Sequence, residues 1–70
     1  MNGIETVIFF MPNGTEIKFS VAAVHDATRA TDIRERDGVV EVVTPDGTLR
    51  FGGIAYILVD VNEALNTLGL

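Results

Sequence analysis

Cysteine is absent from this 70-residue sequence, which excludes a disulfide framework and any thiolate metal site. With no sign of adaptation to an oxidising compartment, a cytoplasmic location is the default expectation. One histidine, His25, and scattered carboxylates provide no HExxH pair and no Asp-rich calcium loop, so neither a metal nor another cofactor is expected. Basic residues are scarce. Lys18, Arg29, Arg34, Arg36 and Arg50 stand against ten carboxylates, and the resulting net charge of −5 repels a phosphate backbone, which argues against nucleic acid as a ligand. No stretch approaches the ~20 continuous apolar residues of a membrane helix. The start, Met1-Asn2-Gly3-Ile4-Glu5, has no basic segment of the kind that opens a secretory signal, so a soluble, unprocessed chain is expected.

What is present points to a folded domain. The composition is 47% apolar and only 21% charged, far from the polar, highly charged sequences that stay disordered. Residues 1–70 suffice for a single small domain. At this size roughly 60% of the unfolded chain's surface is buried, which leaves little stability without a staple, so self-association as a homodimer is expected.

The clearest pattern is an approximate internal repeat. Pro12-Asn13-Gly14-Thr15-Glu16-Ile17-Lys18-Phe19 recurs as Pro45-Asp46-Gly47-Thr48-Leu49-Arg50-Phe51, one residue shorter. Proline sets φ for a type I turn, Asn or Asp suits the next position, and glycine takes the left-handed conformation that closes a bulged hairpin. The flanks, Ile4 to Met11 and Val39 to Thr44, are rich in β-branched and aromatic residues. Ile17, Phe19 and Val21 alternate with polar neighbours and should face a core. Along Val7-Ile8-Phe9-Phe10-Met11 both faces are apolar, so that strand requires a cover on each side.

A third turn signal, Asp37-Gly38, places Arg34 across from Glu41 and Ile33 across from Val42 if its loop has two residues. Between the hairpins, Ser20 as N-cap with Val24, Ala27 and Ala30 spaced three apart predicts a short helix, or else an irregular crossover, over about residues 22–30. Gly52-Gly53 allows a bend, and Ile54 to Val59 reads as a fifth strand buried on both faces. Asp60-Val61-Asn62-Glu63 has the form of a capping box. With Ala64, Leu65 and Leu68 following and Gly69 as a stop, it predicts a short C-terminal helix docked on the sheet. The expected class is α+β: a mainly antiparallel sheet of two bulged hairpins plus a fifth strand, partly rolled or barrel-like, with these two helices.

Catalytic groups are sparse. Ser20, His25 and Asp26 are the components of a hydrolytic triad, but no nucleophile elbow or glycine-rich oxyanion loop accompanies them, and a helix cap with a surface pair explains them better. No enzymatic activity is therefore expected. The candidate partner or ligand residues are Tyr56, which joins an apolar body to a polar end; Arg29, Arg34 and Arg36; and the acidic Glu41, Asp46, Asp60 and Glu63 of the second half. The pattern suits an acidic protein-binding module. An inhibitor of the kind viruses or mobile elements carry against host defences, occluding a partner's surface, has this profile. The alternative is a small anionic-ligand or nucleotide binder, with the arginines lining a groove at the dimer interface.

Overall fold

Both proline-led repeats fold as hairpin turns, and they set the architecture. In the computed structural model, which describes residues 3–60, the chain forms β1 (Ile4–Phe10), β2 (Glu16–Ser20), β3 (Thr28–Arg29), β4 (Asp32–Arg36), β5 (Val39–Thr44), β6 (Gly47–Gly52) and β7 (Ala55–Asp60). At the first turn the Gly14 N–H donates to the Met11 carbonyl at 2.9 Å and the Met11 N–H to the Thr15 carbonyl at 2.8 Å. Gly14, at φ 89°, is the left-handed residue of the bulge. The second turn is tighter. Thr44 lies directly opposite Gly47, so Pro45 and Asp46 alone make the loop. The Thr44 hydroxyl donates to the Gly47 carbonyl at 2.8 Å and accepts the Asp46 N–H at 3.2 Å. The residue missing from the second repeat thus removes the bulge expected there.

The third turn is the two-residue Asp37-Gly38 loop, with both residues at positive φ (54° and 81°). Its register pairs Arg34 with Glu41 and Ile33 with Val42, as the sequence predicts. A carboxylate oxygen of Glu35 accepts the Gly38 N–H at 3.0 Å and anchors the turn.

Two sheets result, a four-stranded one in the order β3-β2-β1-β7 and a three-stranded one in the order β4-β5-β6. The chain crosses between them at Ala30 and Thr31, whose amides donate to the Ser20 carbonyl at 2.8 Å and the Val43 carbonyl at 2.7 Å. Those two bonds replace the crossover helix. No helix exists among the described residues, and the expected α+β class is corrected to all-β, in two sheets that do not close into a barrel. Ser20 does accept the amide two residues on, Ala22 N–H at 3.1 Å, which is the bond expected of an N-cap. The same bond closes a local turn. A helix of so few residues is marginal alone, and pairing of 28–31 with both sheets prevails. The predicted C-terminal helix lies outside the described residues.

The core sits between the sheets. Val7, Phe9, Phe19, Ala30, Ile33, Val40 and Val42 are buried there, and Phe51, Tyr56 and Leu58 pack against them. Phe9 is the hub. Its ring lies 4.1 Å from that of Phe51, 6.1 Å from Phe19 and 6.4 Å from Tyr56, the last two edge-on. β7 is not buried on both faces, as the sequence suggested. Tyr56 and Leu58 point inward, whereas Ala55 and Ile57 are exposed.

A core this small supplies only ~3–5 kcal/mol, and truncating a buried phenylalanine costs ~3–5 kcal/mol. Phe9→Ala should therefore be largely unfolded without denaturant, while Ile57→Ala should lose less than ~1 kcal/mol. Urea titration followed by circular dichroism compares them, and a native-like Phe9→Ala would contradict the hub assignment.

Candidate functional site

The candidate residues do not form one site, and three surfaces are distinct, two of which carry candidates. Along β4, β5 and β6, alternation places Arg34, Arg36, Glu41 and Arg50 on the outward face of the second sheet, around a groove of about 350 Å³ that Asp37 and Val39 also line. Arg34, Glu41 and Arg50 form one cross-strand row. Arg50 Nε lies 3.3 Å from a Glu41 carboxylate oxygen, and Arg34 Nε 2.8 Å from that of Asp32. Two of the three guanidinium groups are thus already committed, Arg50 across strands and Arg34 along its own, and such exposed pairs contribute only ~0.2–1 kcal/mol each.

Tyr56 is not part of that groove. It lies on the inward face of β7, and its hydroxyl donates to a Glu35 carboxylate oxygen at 3.1 Å, the same oxygen that holds the Gly38 amide. Glu35 alternates with Arg34 and Arg36, so its side chain leaves the opposite face of β4. This bond ties the two sheets together. Partial burial, and then the neighbouring carboxylate, push the Tyr56 phenol above its ordinary 10.0. Its stabilising contribution is complete below that ordinary value and is lost as pH rises through the raised one.

The second surface is a cleft of about 500 Å³ between the β2–β3 ribbon and the tip of the second hairpin, lined by Phe19, Thr28, Arg29 and the run Thr44–Leu49. It brings together Arg29 and Asp46, which the sequence singled out, with Phe19 and Leu49, which it did not. Leu49 is opposite the buried Val42 and so belongs to the inner face, yet it is 44% exposed. Its counterpart in the first repeat, Ile17, packs against the core. That equivalence marked Leu49 as inward-facing, but nothing local revealed that its cover is missing.

The third surface is the outer face of the first sheet. Ile8 and Phe10 on β1 stand beside Ile57 and Ala55 on β7, with Phe10 36% and Ile57 51% exposed. Glu16 and Lys18 on β2 border this patch, and Lys18 pairs with Asp26 at 3.1 Å. That bond and charge hold the Asp26 carboxyl below its ordinary pKa. β1 therefore receives the inner cover it requires, but no outer one among the described residues.

The acidic residues do not converge. Glu41 is on the outward face of the second sheet, Asp46 is at the second turn, and Asp60 ends β7 opposite Ile4. Glu63 lies outside the described residues. The hydrolytic trio does not assemble either. Ser20 is fully buried, its hydroxyl donating to the Glu5 carbonyl at 3.2 Å while accepting from Thr6 Oγ1 at 3.0 Å. No metal-ligating cluster occurs among the described residues, and no helix there is long and apolar enough to cross a membrane.

Tyr56 is the chain's only tyrosine and tryptophan is absent, so phenolate absorbance reads this one group. Its midpoint should lie above the ordinary tyrosine value and return toward it in Glu35→Gln. Identical titration of the two proteins would show that the Glu35 contact does not form.

No family model matches the chain, and neither the curated proteins nor the solved structures contain a match.

Proposed function

We propose that the chain is a non-enzymatic protein-interaction module that works as a homodimer, joined along β7 and the adjoining outer face of the first sheet. The observation that carries this reading is Ile57, 51% exposed at the centre of β7, which is an edge strand among the described residues. Edge strands present unpaired backbone groups, and monomeric proteins blunt them with charge, proline or bulges. β7 from Ala55 to Val59 has no charged residue and no proline.

Charge also favours this surface. Copies carrying −5 each repel one another, so self-association is least opposed where ionised groups are absent. Pairing two β7 strands antiparallel about Ile57 sets Ala55 of each copy against Val59 of the other, and Tyr56 against Leu58. Inward residues then stay inward and outward residues outward. The ribbon is only ~20 Å long, whereas a standard interface takes ~800 Å² from each partner. The dimer should therefore be concentration-dependent and should draw on both backbone pairing and apolar contact.

The anionic-ligand alternative has weaker support, since Arg34 already meets a carboxylate and Arg29 lines a different surface from Arg34 and Arg36. An occluding inhibitor, the fuller form of the binding reading, rests on net charge, and the acidic residues are dispersed.

Sedimentation equilibrium on the full chain tests the dimer. The wild type should show a monomer–dimer equilibrium, and Ile57→Lys should weaken it at least ~10-fold while leaving the circular dichroism spectrum unchanged. A wild type that stays monomeric at millimolar concentration refutes the proposal.

A further inference from the structure

The cleft beside the second hairpin has the composition of a binding site. Its volume of about 500 Å³ lies within the ~300–1,000 Å³ range of ligand pockets. Its lining combines the apolar Phe19 and Leu49 with a cation, Arg29, an anion, Asp46, and the hydroxyl-bearing Thr28 and Thr48. Arg29 has no carboxylate partner among the described residues. Leu49, 44% exposed, is the inward-facing side chain that the core leaves unsheltered. It sits on β6, the outer strand of the second sheet, whose far edge has no partner strand among the described residues.

We infer that this cleft binds an extended peptide segment of another protein, which adds as a strand beside β6 and seats one apolar side chain between Phe19 and Leu49. Backbone pairing to a sheet edge supplies affinity in such complexes, and pockets for alternate side chains supply selectivity. Charge complementarity defines the occupant further. A carboxylate on the Arg29 side of the apolar residue and a cation on the Asp46 side would each meet an opposite charge. A small anion satisfies only Arg29 and is repelled by Asp46. The cleft lies away from β7, so a dimer joined there would present two such clefts.

Selection from a displayed library of random eight-residue peptides tests this. Enriched sequences should share a central apolar residue with an acidic residue to one side and a basic one to the other. Their synthetic, dye-labelled forms, followed by fluorescence anisotropy, should bind Leu49→Ala at least ~10-fold more weakly. N-methylation of alternate peptide amides should abolish binding, and Arg29→Glu should remove the preference for an acidic neighbour. Circular dichroism on the variants verifies their fold, which an exposed leucine is not required to maintain. No enrichment, or enriched peptides that bind Leu49→Ala and the wild type equally, would overturn the inference, and either result leaves the dimer equilibrium measurable on its own.

Discussion

The contact on which the structure depends is the meeting of Phe9 with Phe51, ring to ring at 4.1 Å. Phe51 comes from the second hairpin and Phe9 from the first strand of the other sheet, so this pair is where the sheets are held face to face. Phe19, the first hairpin's equivalent of Phe51, closes the cluster from the other side, 5.8 Å from Phe51. Aromatic pairs in offset or edge-on arrangement add ~0.5–1.5 kcal/mol each beyond area burial. In a domain this small that is a large share of the total. The repeated hairpin is thus a means of delivering two phenylalanines to one ring.

A single aromatic hub has a geometric consequence. It draws the inward faces of both sheets toward one point and leaves the periphery thinly covered. Leu49, on β6, and Ile57, on β7, which is an edge strand among the described residues, are both apolar residues at this periphery. The sheets meet through Ala30 and Thr31 on one side and through the Tyr56–Glu35 hydrogen bond on another, and they do not close elsewhere. Among the described residues, the exposed apolar side chains therefore follow from having too few others to cover two sheets from one core.

Much of the sheet was legible in the sequence because turn chemistry is local. Pro-Asn-Gly, Pro-Asp-Gly and Asp-Gly each fix their own backbone, and register follows from loop length. The Arg34–Glu41 pairing followed from Asp37-Gly38 alone. The crossover was illegible for the opposite reason. Val24, Ala27 and Ala30 have helical spacing, and Ser20 makes the capping bond, but the deciding partners are the Ser20 and Val43 carbonyls, the latter twelve residues from the Thr31 amide it accepts. The candidate site divided likewise. Arg29 and Asp46 stood out by charge, whereas Phe19 read as ordinary core and Leu49 had no assignment beyond its place in the repeat until the second hairpin's position showed it exposed. Tyr56 stood out as amphipathic, and its hydroxyl proved to serve the fold.

Charge decides which of the exposed surfaces can take which partner. At −5 the molecule opposes close approach of any acidic surface, its own copy included, over about a Debye length of ~8 Å at physiological salt. An uncharged stretch such as Ala55 to Val59 of β7 is the place where that opposition is weakest and apolar contact can prevail. The cleft differs, because its lining carries both signs, Arg29 from β3 and Asp46 from the second turn. Opposed charges there cost a neutral apolar ligand desolvation and reward one that carries both signs in the right order. The two surfaces are therefore selective in different ways, the edge by lacking charge and the cleft by its arrangement. A partner suited to one has no electrostatic reason to compete for the other.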